Sequence, residues 1–289
     1  MDYLEYKNPK EGYSDYSNPS DSYNDANNTL INKNTAASRN YTTIDPDCLI
    51  EIKNFRNSTV PGVWLNINKT ELIDDMINKL NNPFKVDQGS TPFCGPGSII
   101  FELVSRYKTK YVQLCQSLYE TGKFKAITVD IAPSETLKNS QVRKGISVAD
   151  WMLLASLRDT ENVLFTVESD SSDIVGITTP WEMKGWINEL LCFTNPNFDS
   201  TTIYGEIDAI REAEKSLNSK GVAFLLIDSA LISKTKPTVY YPNHWVSYLG
   251  NLIISNTIKF DCYSWGDKYN VDVGESEFED CLWGVVTAL

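Results

Sequence analysis

One stretch limits what this chain can fold into more than any other: Gln88-Gly89-Ser90-Thr91-Pro92-Phe93-Cys94-Gly95-Pro96-Gly97, followed without a break by Ser98-Ile99-Ile100-Phe101-Glu102-Leu103-Val104. The apolar run predicts the first turns of a helix, so Cys94 stands at a helix N-terminus. Unpaired N–H groups and a partial positive charge at that position favour a thiolate over a thiol whose ordinary pKa is about 8.5. Pro96 suits a first turn because its missing N–H would go unused there, and Gly95 and Gly97 let the backbone approach a substrate closely. Gln88, six residues before the cysteine, carries an amide that can donate to an oxyanion.

A thiolate needs a proton partner, and composition narrows the choice. The chain holds one histidine, His244, in Tyr241-Pro242-Asn243-His244-Trp245-Val246-Ser247-Tyr248. It opens an apolar run that reads as a strand, with His244, Val246 and Tyr248 on one face. A second strand-like run, Ile258-Lys259-Phe260-Asp261-Cys262-Tyr263-Ser264-Trp265-Gly266-Asp267, follows soon after. An antiparallel pairing of the two runs would bring polar residues of the second beside His244.

These residues together resemble the papain-like cysteine peptidases in the broad sense. The shared elements are the Gln88 to Cys94-Gly95 spacing, the downstream His244 opening a strand, and Ser264-Trp265-Gly266 closing the next strand. The resemblance implies that Gln88 completes an oxyanion hole, that Cys94 attacks, and that His244 acts as base and then acid. It also implies a residue that orients His244. Papain has Asn directly before Ser-Trp-Gly, where this chain has Tyr263, so the orienting role is assigned to Asp261, with Ser264 and Asp267 as alternatives. Strand alternation decides between the first two: Lys259, Asp261 and Tyr263 share one face, and Phe260, Cys262 and Ser264 the other. If the second face meets His244, Ser264 gains.

A closer resemblance is to the papain-fold cysteine peptidase toxins and effectors that bacteria deliver to rivals by contact-dependent or type VI secretion. It runs through Leu118-Tyr119-Glu120-Thr121-Gly122, Ile146-Ser147-Val148-Ala149-Asp150-Trp151 and Pro242-Asn243-His244-Trp245-Val246 as well as the Cys94 stretch. It implies a protein or peptide substrate, a cognate immunity protein, synthesis in a bacterial cytoplasm and delivery into a target cell.

Charge and cysteine usage bound the remaining options. A formal net charge of -12 argues against a nucleic-acid partner, which calls for clustered Lys and Arg. No window of about 18 apolar residues predicts a membrane span, and no basic-then-apolar start predicts a secretory signal. The six cysteines are scattered with no Cys-x-x-Cys, so free thiols are expected and a zinc site is not. Cys48, Cys115, Cys192, Cys262 and Cys281 read as small buried residues. Acyl transfer by Cys and His needs no metal or organic cofactor.

Residues 1–47 read as a disordered tail, rich in Tyr, Asn and Ser, with a ten-residue repeat of tyrosine-containing units and few aliphatic residues to offset chain entropy. The tail is either a solvated segment or a docking segment for a secretion carrier or chaperone. Residues 48–289 form the expected domain. Helical periodicity predicts helices over 70–80, from Cys94 to about 107, over 110–121, from 147 through 157, from 179 through 191 and over 206–217. Strands are predicted over 123–131, 222–228, 245–249, 258–264 and 285–288. Helices first and strands later mean α+β, with Cys94 in a helical half and His244 in a sheet half. The acyl acceptor stays open between water for a peptidase or cell-wall amidase, an amine for a transglutaminase, and water on glutamine side chains for a deamidase. A non-catalytic binding module that kept the cleft is the alternative outside enzymes.

Overall fold

A computed structural model describes residues 43–164, 177–233, 235 and 241–289. All but the last five residues of the expected tail lie outside them. Helix α1 (Pro46–Asn57) opens on Asp45, whose carboxylate accepts from the Cys48 N–H, so the helix starts two residues before the expected boundary. Helix α2 (Lys69–Asn81) is capped by Asn68, α3 (Cys94–Arg106) begins at the cysteine itself, and α4 (Lys108–Thr121) stops at left-handed Gly122. The predicted strand over 123–131 is a hairpin of two short strands, β1 (Phe124–Lys125) and β2 (Asp130–Ile131).

Short helix α5 (Glu135–Lys138) leads to α6 (Val148–Leu164). The helix expected from 179 is α7 (Pro180–Glu189), which opens on a Thr179–Glu182 capping box. Strand β3 (Asn197–Ser200), helix α8 (Thr201–Tyr204) and amphipathic α9 (Glu206–Asn218) follow. The rest is β4 (Val222–Ile227), α10 (Ala230–Ser233), β5 (His244–Ile254), β6 (Thr257–Ser264), β7 (Asp267–Gly274), α11 (Glu275–Cys281) and β8 (Leu282–Ala288).

Strands β3 to β8 form one antiparallel sheet in the order β3-β8-β4-β5-β6-β7. The chain is therefore mixed helix and sheet, with helices leading and strands concentrated after them. Alternation along the strands feeds two cores. Phe224, Leu226, Trp245 and Tyr263 face the helical layer with Ile99, Phe101 and Leu103 of α3. Leu225, Ile227, Val246, Tyr248, Phe260 and Cys262 face the other side, where Ala209, Ile210 and Ala213 of α9 and Phe278 of α11 cover them. Burial on both faces explains why β4 reads as an unbroken apolar run. Among the described residues no helix is long and apolar enough to cross a membrane.

Candidate active site

Helix α3 places Cys94 at its first residue, buried at 4% exposure. Backbone N–H groups of Trp245, Gly95 and Cys94 itself point to the sulfur. The Trp245 N–H belongs to the peptide that joins His244 to Trp245, so residues far apart in sequence meet at the sulfur. Ser98, one turn into α3, donates from Oγ to the Trp245 carbonyl at 3.3 Å and fastens α3 to β5 on the other side of the same residue. The indole of Trp245 donates to the Thr178 carbonyl at 2.7 Å, which brings the approach to α7 over the same spot.

His244 is fully buried at the first position of β5, paired with Ile227 of β4. Its Nε2 shares a 2.5 Å hydrogen bond with Ser264 Oγ. Its ring stacks on Trp265, centroids 4.0 Å apart and planes inclined by 13°. Ser264 and Asp267 are paired across β6 and β7, so Trp265 and Gly266 are the two central residues of a tight hairpin, with φ of +41° and +69°. Such a turn favours glycine or asparagine at its first centre, and a tryptophan held there costs about 1–2 kcal/mol. Stacking on the imidazole offsets that cost and closes the ring off from water.

Asp261, the first choice for the orienting residue, is not brought to His244. It lies on the Tyr263 side of β6, where its carboxylate accepts from Asn251 and Asn270 and pairs with Lys268 at 2.7 Å. Burial alone would raise its pKa, but the hydrogen bonds from Lys268, Asn251 and Asn270 outweigh it and hold the carboxyl below the ordinary range. Asp267 is exposed and accepts from the Lys268 N–H. Period-two alternation is the reason for the correction: the face of β6 that meets His244 carries Ser264, not Asp261.

Gln88 is buried at 4% exposure in the loop before α3, and its Nε2 donates to the Thr91 carbonyl at 2.8 Å. Its Oε1 lies 3.6 Å from where a side chain would begin at Gly97, so Gln88 rests on the first turn of α3. Gly95 has a different reason for being glycine. A Cβ there would stand 2.4 Å from Thr178 Oγ1 and 2.5 Å from Thr178 Cβ, so the residue is bare to admit Thr178.

Burial works against the expected thiolate. Burial pushes the Cys94 thiol up to about 11, against the N–H groups and the positive charge of Arg158 that favour the anion. Burial also pushes the His244 imidazolium down to about 3. Both shifts favour the neutral thiol and the neutral imidazole, because burial disfavours the charged forms more than one helix terminus favours the anion. The sequence shows the helix terminus but not the depth at which it is buried.

Of the remaining cysteines, Cys48, Cys115, Cys262 and Cys281 are buried free thiols. Cys192, expected to be buried, is instead exposed beyond the end of α7, with φ +60°. Sequence reasoning also missed Thr178, and no signal in the sequence marks it. No family model, curated protein or solved structure matches this chain.

Proposed function

We propose that the chain is a cysteine peptidase of papain-like layout that cleaves peptide bonds by acyl transfer, with Cys94 as nucleophile, His244 as proton carrier, Ser264 as the residue that orients His244 and Gln88 as oxyanion donor. One observation carries the reading: the Cys94 sulfur, at a helix start, lies against the peptide between His244 and Trp245 while Ser264 holds Nε2 of the His244 ring. With Nε2 engaged by Ser264, Nδ1 is the ring nitrogen that exchanges the proton.

Starting from a neutral pair, the Cys94 proton passes to His244 as sulfur bonds to the substrate carbonyl carbon. The carbonyl π pair moves to oxygen, where backbone N–H groups at the start of α3 and the second Nε2 hydrogen of Gln88 receive it. The carbon–nitrogen bond then breaks, and the leaving amine takes the proton from His244. Water adds to the thioester and gives a proton to His244, the carbon–sulfur bond breaks, and the proton returns to Cys94. A free carboxyl and a regenerated thiol result.

The toxin setting is proposed from the sequence blocks alone: synthesis in a bacterial cytoplasm, delivery into a rival cell, and an immunity protein that plugs the cleft. Induced expression in the cytosol of a bacterial host, followed by mass spectrometry of new protein termini, tests both parts. New termini and growth arrest, each absent for Cys94→Ala, are expected. Cross-links, or a gain of about one dalton at glutamine sites, would replace hydrolysis of peptide bonds with transamidation or deamidation by the same acyl-enzyme logic. Toxicity confined to the periplasm would favour a cell-wall amidase.

A further inference from the structure

Gln88 lies in the stretch Val86–Phe93, which has no regular secondary structure to hold it. The two residues before Gln88 are instead fastened from distant parts of the chain. The Tyr263 hydroxyl, on β6, donates to the Val86 carbonyl. The Asp87 N–H donates to Asp150 Oδ2, in the first turn of α6, at 3.0 Å. Gly266 completes the cradle, since a Cβ there would lie 3.0 Å from the Asp87 carboxylate.

Each fastening has its own support. The Tyr263 ring stacks flat on Phe101 of α3, centroids 3.8 Å apart, so the same side chain registers the Gln88 segment against the helix that carries Cys94. Asp150 is buried with Lys79 Nζ at 3.2 Å, and Lys79 is held in turn by Asp75 at 2.5 Å and by Ser147 Oγ at 2.8 Å. The Asp75 carboxylate accepts from the Ala149 N–H and so locks this ion pair to the start of α6. A buried ion pair adds little net stability over apolar packing of the same shape. Here it presents a fixed acceptor oxygen to one backbone N–H, next to Gln88.

We propose that Tyr263 and Asp150 are positioning residues for the acyl transfer above: together they fix the main chain just before Gln88, so that its amide stays on the first turn of α3 where the oxyanion forms. The role of Gln88 rests on the proposed function; the clamp itself does not.

The test uses the full chain with Tyr263→Phe, Asp150→Ala, Asp150→Asn and, as reference, Gln88→Ala. Hydrogen exchange of the peptide covering residues 84–93 reads the clamp. The affinity of Cys94 for N-acetylglycinal, which forms a hemithioacetal and needs an oxyanion donor, reads its consequence. The rate of Cys94 alkylation by iodoacetamide, a displacement that forms no oxyanion, is the control. Losing Gln88 is expected to weaken the aldehyde about 10- to 100-fold by removing an oxyanion donor. Tyr263→Phe and Asp150→Ala are expected to speed exchange at 84–93 and weaken the aldehyde roughly 5- to 50-fold, with alkylation within about twofold. Asp150→Asn keeps an acceptor oxygen and is expected to restore most of the affinity, and Tyr263→Phe keeps the ring stack should Asp150→Ala fail to fold. Unchanged exchange in both clamp variants overturns the proposal, as does faster exchange with unchanged aldehyde affinity. Equal aldehyde affinity in the wild type and Gln88→Ala overturns the oxyanion role of Gln88, while exchange still decides the clamp.

Discussion

Tyr263 and Ser264 are consecutive residues of β6 that serve opposite faces of the sheet: the Tyr263 hydroxyl donates to the Val86 carbonyl, two residues before Gln88, and Ser264 Oγ lies 2.5 Å from His244 Nε2. One peptide bond thus ties the loop before Gln88 and the His244 ring to a common frame. The hairpin that follows, through Trp265 and Gly266, covers His244 on one side and Asp87 on the other.

Ser264 Oγ is hydrogen-bonded to His244 Nε2, so removing its hydroxyl frees the ring to tilt. Ser264→Ala is expected to slow acylation of Cys94 by about 10-fold through lost orientation. Asp261→Asn is expected to leave acylation within about twofold and to cost stability instead, because its partners are Lys268, Asn251 and Asn270. Acylation rates from a peptidyl ester and thermal melts of both variants separate the two roles.

Gly95 and Gly97 sit in the same turn and predict opposite results. Gly95→Ala drives a methyl to 2.4 Å from Thr178 Oγ1 and is expected to destabilise by about 1–3 kcal/mol. Gly97→Ala meets Gln88 Oε1 at 3.6 Å, an ordinary contact, and is expected to be tolerated. Urea unfolding checks both, and Thr178→Gly should recover most of the loss in Gly95→Ala.

Glu161 gives stability a pH dependence of defined sign. Burial raises its carboxyl from 4.5 to about 7, against the pull of Arg158. The folded chain therefore holds a proton that the unfolded chain releases, so this contribution is full below about pH 4.5 and is lost as pH rises toward 7. The difference in stability between wild type and Glu161→Gln is expected to shift by about 1–3 kcal/mol across that window. Buried His244, lowered to about 3, contributes the opposite slope in both proteins: its stability is lost as pH falls below about 6.5. Urea titrations at half-unit pH steps read the difference directly.

Thiol reactivity follows exposure rather than position on a helix. Cys192 is the exposed cysteine, whereas Cys94 is a buried thiol raised to about 11. Maleimide at pH 7.5 is expected to label Cys192 at least about tenfold faster than Cys94, since access and thiolate fraction both set the rate. Peptide mass spectrometry after short labelling pulses measures the ratio.

Much of this architecture was legible in the sequence because it rests on local rules. The helix from 179, the Asn68-capped periodic helix, the helix opening at Cys94 and the apolar β4 all follow from spacing a few residues long. Strand β7 was not anticipated: in Asp267–Gly274 only Val271 and Val273 are buried, so the apolar signal is too sparse to mark it. Short β3 pairs only with β8 and depends on that partner. At the site, alternation left Asp261 and Ser264 as alternatives on opposite faces, and only the packing of β6 against β5 selects Ser264. The burial that disfavours the charged forms of Cys94 and His244 was hidden for a related reason, since it is a property of the whole fold.

In the proposed function Cys94 and His244 work as one acyl-transfer unit. Incubation of the full chain with a peptidyl epoxysuccinate, followed by peptide mass spectrometry, tests it most directly, because ring opening by sulfur at a closed site requires proton transfer through the histidine. The account predicts an adduct at Cys94 alone, with its rate reduced at least about 100-fold in His244→Ala by loss of the proton carrier. An adduct spread over the exposed Cys192 and other thiols, or a Cys94 rate unchanged in His244→Ala, would contradict it.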